Sequence, residues 1–379
     1  MQIIIAPDSF KGSMSALEAA NAIEKGVKKV FKNATTIKIP IADGGEGTVE
    51  AIVMGANGII KETTVTGPLG EKVKAHYGIL PDGSAVIEMA AASGITLVPS
   101  GRLNPMEATT YGTGELVKTA LDEGVKKIIM GIGGSATNDG GMGFAQALGV
   151  VFKDEEGKPL GLGAKYLKDI HTIDVSGIDP RIKETQFIVA CDVKNPLCGE
   201  NGASAVYGPQ KGATPQMVKE LDHGLRHYAS VIKEVLGKDI IHVEGTGAAG
   251  GLGAGLLVFC NAVLQSGIKT VLEAVNIEQH LKDTGLIITG EGKIDGQSVF
   301  GKGPVGIAEA AKPYHIPVMV LTGGIGEGAY KAYEYGISSI MPIVNGPISL
   351  EESMGRGREL IEDASERMMR ILKAGMLMK

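Results

Sequence analysis

The feature that most constrains this 379-residue chain is a recurrence: short apolar runs that break directly into glycine together with an acid or a lysine. Residues 3–6 lead to Pro7-Asp8-Ser9-Phe10-Lys11-Gly12, and residues 37–41 to Asp43-Gly44-Gly45-Glu46-Gly47-Thr48. Residues 126–130 lead to Gly131-Ile132-Gly133-Gly134-Ser135-Ala136-Thr137-Asn138-Asp139, and residues 186–190 to Asp192-Val193-Lys194-Asn195. Residues 286–289 run into Gly290-Glu291-Gly292-Lys293-Ile294-Asp295-Gly296, and residues 318–321 into Thr322-Gly323-Gly324. Runs that are continuously apolar, rather than alternating, belong to strands buried on both faces of a parallel sheet. The 56 glycines are about twice the usual ~7%. They form no collagen period or Gly/Ser tract, so they are expected in tight turns and close backbone approaches.

Between the runs the period changes. Leu17, Ala20, Ile23, Val27 and Val30 recur at helical spacing. Ser13 or Ser15 is positioned to cap that helix, and Glu18 follows Ser15 as in a capping box. The first 55 residues therefore read strand, helix, strand, helix, with parallel pairing. Residues 63–66, 73–79 and 85–89 are short β segments separated by Gly67-Pro68-Leu69-Gly70 and Pro81-Asp82-Gly83, which predicts an antiparallel meander. From residue 285 the first pattern returns, and a long helix is expected over 348–376. The prediction is an α/β protein of two domains. Residues 1–60 plus 285–379 would form a discontinuous, doubly wound, mostly parallel Rossmann-like domain. Residues 61–284 would be an inserted α/β domain with antiparallel strands.

Composition excludes some functions. Aromatics are 4% with no Trp, and the net charge is −6, so neither a base-stacking platform nor a phosphate-backbone surface is expected, and no nucleic-acid partner. No apolar stretch has the roughly 18 residues of a membrane helix. The N-terminal segment lacks a basic region and a long apolar run, so no export signal is expected. Cys191, Cys198 and Cys260 have no metal-ligand spacing and read as reduced thiols, which points to the cytoplasm.

In open α/β sheets ligands bind beyond the carboxyl ends of the strands. Glycine, lysine and carboxylate there are what phosphoryl transfer needs: donors around phosphates, oxygen ligands for Mg²⁺, and an acid near the attacking hydroxyl. Each position also has a plainer reading. Asp8 and Ser9 could start a turn, and Lys11 could be a solvated lysine. Asp43 could cap the next helix with Glu46 completing a capping box, and Asn138 and Asp139 could be caps. Gly296 to Gly303 fits part of a P-loop, but Gly303 stands where its Ser/Thr is required; Pro304 instead predicts a helix N-terminus there, able to bind phosphate. Gly245-Thr246-Gly247-Ala248-Ala249-Gly250 matches GxGxxG weakly, after only a marginal strand at 240–243; tight helix packing is its alternative.

APDSFKGSMSA from Ala6, PIADGGEGT from Pro40, VIEMAAASG from Val86, GIGGSATNDGGMG from Gly131, ACDVKNPLCGENGASAVYGPQKGA from Ala190, EGTGAAGGLGAG from Glu244 and TGEGKIDGQSVFGKGP from Thr289 together make the sequence resemble the type I bacterial glycerate kinases. The resemblance spans essentially the whole chain. It implies phosphoryl transfer from ATP to D-glycerate with Mg²⁺, usually giving 2-phosphoglycerate, and two α/β domains with the active site in the cleft between them. On that reading Asp192 is the first candidate to accept the substrate hydroxyl proton and Asp8 the second, with Lys11 a clamp for a phosphate or the substrate carboxylate. Asp43, Glu46, Glu291 and Asp295 are candidates for Mg²⁺. Gly133, Gly134, Gly301, Lys302 and Gly303 are candidates for the nucleotide phosphates. Ser9, Ser135, Thr137, Asn138, Asp139, Asn195 and Lys293 are candidates for substrate or phosphate contacts. A monomer or homodimer is expected. A kinase of another small hydroxy acid or polyol, or a glycerate kinase that forms 3-phosphoglycerate, is the nearest competing reading, and a two-lobed, non-enzymatic binding protein a distant one.

Overall fold

The computed structural model describes residues 1–42, 44–296, 298 and 303–378. In chain order its strands are β1 (Gln2–Pro7), β2 (Thr35–Lys38), β3 (Ile59–Thr66), β4 (Lys72–Ile79), β5 (Ala85–Glu88), β6 (Lys127–Gly131), β7 (Val151–Lys153), β8 (Thr172–Asp174), β9 (Gln186–Ala190), β10 (Val263–Gln265), β11 (Thr284–Ile294), β12 (Val318–Ile325) and β13 (Ile337–Pro342). The helices used below are α1 (Ala16–Val30), α2 (Thr48–Gly55), α3 (Tyr111–Asp122), α4 (Met142–Ala147), α5 (Ala203–Tyr207), α6 (Pro215–Leu236), α7 (Ala248–Cys260), α8 (Gly303–Ala311) and α9 (Gly357–Met376). None of the described helices is long and apolar enough to cross a membrane.

The chain divides into two compact units. One comprises residues 1–43, 50–57 and 267–379; the other comprises 44–49 and 58–266. The boundaries expected at 60 and 284 thus fall at 57 and 266, and a short piece around Gly44 belongs with the second unit.

The first unit is built on a five-stranded sheet of order β13-β12-β11-β1-β2, with every pairing parallel. Ile3, Ile5, Leu286 and Ile288 pack with apolar residues of α1 and α9. Ile4 and Ile287 point to the opposite face and are also fully buried, which is why these strands are apolar throughout rather than alternating. Ser15 and Glu18 form the expected capping box of α1, Glu18 N–H donating to Ser15 Oγ at 3.2 Å and Ser15 N–H to Glu18 Oε2 at 3.0 Å. The C-terminal helix is interrupted: a short helix at Leu350–Gly355 precedes α9, with Arg356 between them. Ser13 Oγ donates to the Met354 carbonyl at 2.7 Å, and a side chain on Gly357 would meet Ser13 Oγ at 2.4 Å. The turn at 10–14 therefore pins the break.

The second unit carries a six-stranded sheet of order β10-β9-β6-β5-β4-β3. β3, β4 and β5 are the expected antiparallel meander, while β5, β6, β9 and β10 run parallel. A small β7-β8 ribbon, not expected from the sequence, stands apart from it. One continuous core, including Val117, Met130, Phe144, Phe187, Leu225 and Leu252, fills the unit.

Candidate active site

In the first unit the candidate residues gather at the carboxyl ends of β1 and β11. Asp8 N–H donates to the Gly290 carbonyl at 2.8 Å, and Ser9 N–H to Asp8 Oδ1 at 2.6 Å. A side chain on Gly292 would lie 3.7 Å from the Lys11 backbone nitrogen, and one on Gly303 would lie 3.9 Å from Asp8 Cβ. Lys11 and Lys293 are exposed, and Asp8, Ser9, Glu291 and Asp295 partly buried. Lys293 Nζ pairs with Asp295 Oδ2 at 3.0 Å.

Two details differ from the sequence reading. The segment from Gly290 to Ile294 is strand rather than loop: β11 stays paired with β12 through Ile294–Ile325. Its glycines serve close strand contact, since a side chain on Gly290 would meet the Leu321 carbonyl at 2.4 Å. Glu291 and Lys293 consequently share one face of an extended strand. The expected helix start is present, with Gly303 opening α8 ahead of Pro304; its preceding Gly301 and Lys302, like Asp43, lie outside the described residues.

The second unit's candidates meet at the ends of β6 and β9. Gly133 N–H donates to the Gly44 carbonyl at 3.1 Å, and a side chain on Gly44 would meet the Ala190 carbonyl oxygen at 2.8 Å. The segment 44–48 thus lies across both strand ends, carrying exposed Glu46 beside the 131–139 loop. Because α2 starts only at Thr48, Glu46 is not in the third position of that helix and the capping-box reading fails. Asp192, just past β9, is exposed. Asn195 is held in its loop, its Nδ2 donating to the Asn201 carbonyl at 2.8 Å and its Oδ1 accepting from Tyr207 at 2.7 Å.

The 131–139 loop is built around buried polar groups. Gly134 has φ +74°, a conformation that favours glycine. Asp139 is 0% exposed. Its carboxyl accepts from Thr110 N–H at 2.8 Å, Thr110 Oγ1 at 2.9 Å, Gly141 N–H at 3.1 Å and Gly143 N–H at 3.3 Å. Burial pushes its pKa up, and those donors oppose the shift. Asp139 therefore ties the loop to α3 and to the first turn of α4. Asn138 Nδ2 donates to Ser204 Oγ on α5 at 2.9 Å. The GxGxxG segment packs directly on this loop: a side chain on Gly250, at φ +67°, would meet the Thr137 carbonyl at 1.9 Å, and Gly140 N–H donates to the Gly250 carbonyl at 3.0 Å. Residues 240–243 form no strand, so the motif is a packing device, as its structural alternative had it.

Lys211 was absent from the expected site residues. It is 1% exposed, and its Nζ donates to Ser135 Oγ at 2.7 Å and to the Thr137 carbonyl at 2.6 Å. The signal available in the sequence was its place in the GPQKGA segment; no periodicity announces a buried lysine. The cysteines are all free thiols, and burial, which disfavours the thiolate, pushes Cys198 up to about 12 and raises Cys191 and Cys260 as well.

Parallel sheets with glycine, acid and lysine gathered at their carboxyl ends define a phosphate-handling α/β enzyme. The glycerate kinase family model matches residues 3–373. The chain is 53% identical over 364 residues to a glycerate kinase of Halalkalibacterium halodurans, covering 96% of each. It is 49% identical over 377 residues to the glycerate 2-kinase of Escherichia coli, covering 99% of each. A solved structure from Salmonella typhimurium LT2, described as a candidate glycerate kinase 2, superposes with a TM-score of 0.90 at 46% identity, covering 100% of this chain and 99% of that one. The chain belongs to the glycerate kinase family.

Proposed function

We propose that the protein transfers the γ-phosphoryl group of ATP to the 2-hydroxyl of D-glycerate, giving 2-phosphoglycerate. The observation that carries this reading is the identity of 49% over 377 residues to a protein named for 2-kinase activity. The substrate offers a carboxylate and two hydroxyls, so its site requires an anion-binding element and a proton acceptor. In the second unit, Ser135 supplies a hydroxyl backed by a cation, and Asp192 is the carboxylate that accepts the proton of the attacking hydroxyl. A carboxylate is a weak base, which suffices because the transition state of phosphoryl transfer is loose and positioning does most of the work. Asp8 is the second choice for that role. In the first unit, Lys11 and the start of α8 hold anionic oxygens, where the amino end of a helix favours negative charge.

Glu46, Glu291 and Asp295 offer carboxylate oxygens without a cysteine or histidine among them, the donor chemistry of a hard cation. Glu291 and Asp295 in the first unit, or Glu46 in the second, would hold Mg²⁺, which when bound would neutralise charge on the phosphates. Lys293, paired with Asp295, orients that carboxylate. The protein works as a monomer or homodimer in the cytoplasm, where ATP is made and free thiols such as Cys191, Cys198 and Cys260 stay reduced.

The test is turnover of ATP with D-glycerate, L-glycerate and a panel of small hydroxy acids and polyols, with the product read by ³¹P NMR. The 2-phosphate ester from D-glycerate is the expected product. Exclusive formation of the 3-phosphate would overturn the regiochemistry, and faster turnover of another acceptor would overturn the substrate.

A further inference from the structure

Lys211 brings a positive charge to the back of the 131–139 loop, and the loop's polar groups are arranged around it. The ammonium reaches two groups of that loop, Ser135 Oγ at 2.7 Å and the Thr137 carbonyl at 2.6 Å. Donation to Ser135 Oγ occupies a lone pair and leaves the hydroxyl proton for another acceptor; a hydroxyl that accepts from a cation becomes a stronger donor. Ser135 is 8% exposed while Thr137, Asn138 and Asp139 are 0% exposed, so Ser135 is the side chain through which the charge can be felt outside. Thr137 Oγ1 and Asn138 Oδ1 are buried with no hydrogen-bond partner among the described residues. The loop thus holds unspent polar capacity beside the buried Lys211 amine.

We infer that Lys211 is a positioning residue of the kinase site: it orients Ser135 and lends it charge, so that Ser135 Oγ–H receives an anionic oxygen of one substrate, a carboxylate or a phosphate. This rests on the kinase reading above. Burial pushes the Lys211 ammonium down to about 7, against the field of Asp139, which favours the charged form. Asp139 in turn faces Tyr228 of α6, whose phenol is pushed up and stays neutral. As pH rises through about 7 the ammonium loses its proton, anion binding weakens, and the KM of the substrate served by Ser135 rises.

The experiment uses the full chain with Lys211→Met and Ser135→Ala, measuring kcat and both KM values from about pH 6 to about pH 8, the range in which such a group titrates. Lys211→Met should raise one KM by about tenfold, the loss of one charge-assisted hydrogen bond, and abolish the pH dependence of that KM. A rise for glycerate identifies the carboxylate as the anion; a rise for ATP identifies a phosphate. Ser135→Ala should raise the same KM about fivefold, the loss of one hydrogen bond. Values within about twofold of wild type with the pH dependence kept overturn the assignment, and so does a fall in kcat alone. If circular dichroism shows Lys211→Met unfolded, Ser135→Ala decides by the same readings. Wild-type turnover, measured alongside, separates a failure of this role from a failure of the kinase reading.

Discussion

At the ends of β1 and β11 the lysines face water: Lys11 is exposed, and the Lys293 side chain keeps 65% of its surface beside Asp295 with 25%. At the end of β6 the ionisable side chains do not: Asp139 is 0% and Lys211 1% exposed, each held by hydrogen bonds to the loop or its neighbours. The exposed groups are solvated before a ligand arrives and cost the fold little. The buried ones are dehydrated during folding and stand already oriented when a substrate comes. Substitutions in the first region should therefore change kinetics and leave stability alone, whereas those in the second should change both.

The largest effect is expected at Asp139. Asp139→Ala leaves the Thr110, Gly141 and Gly143 donors buried without an acceptor, at about 1–3 kcal/mol for each unmet group. A loss of at least about 3 kcal/mol in urea unfolding is expected, with activity falling as the loop loosens. A variant as stable as wild type would break the contrast at its strongest point.

Asp192 sharpens it, because it belongs to the second unit yet is exposed. If exposure rather than unit decides, Asp192→Asn should lower kcat at least about a hundredfold, near 2.7 kcal/mol in the barrier, with the unfolding midpoint and ATP affinity unchanged. Near-normal turnover would remove Asp192 from the chemistry.

The same contrast explains what the sequence could convey. Groups whose neighbours are close in the chain were legible: Ser15 and Glu18 cap α1 as their spacing requires, and the turns at 67–70 and 81–83 delimit the meander of β3, β4 and β5. Glycines misled where they serve packing across distant segments. Gly290 and Gly292 resemble a loop but lie within β11, and a side chain on Gly323 would meet the Gly292 carbonyl at 2.5 Å. The glycines at 44–47 resemble a helix start but drape over β6 and β9, delaying α2 to Thr48. Lys211 was missed because lysine is ordinarily a surface residue, and its partners Ser135 and Thr137 lie more than 70 residues away in sequence. Only the tertiary fold reveals that burial.

Lys11 carries the smallest expected effect and the cleanest one. Its side chain is exposed, and it follows Phe10, which is 3% exposed and pairs with Met14 through backbone hydrogen bonds at 3.0 and 3.1 Å. Backbone hydrogen bonds and the buried Phe10 thus hold the turn. Lys11→Met keeps the aliphatic stem and removes one charge, so the unfolding midpoint should stay within about 0.5 kcal/mol of wild type, as for most surface substitutions. The loss of one ammonium contact to an anionic substrate should raise KM for ATP or glycerate about tenfold, near 1.4 kcal/mol. As an exposed charge it is screened by salt, so the gap between Lys11→Met and wild type should narrow as ionic strength rises. The corresponding gap for Lys211→Met, with its charge shielded from solvent, should hardly move. Equal salt dependence at the two lysines would mean that burial does not distinguish the two regions in the working enzyme, and unchanged kinetic constants would return Lys11 to the solvated surface.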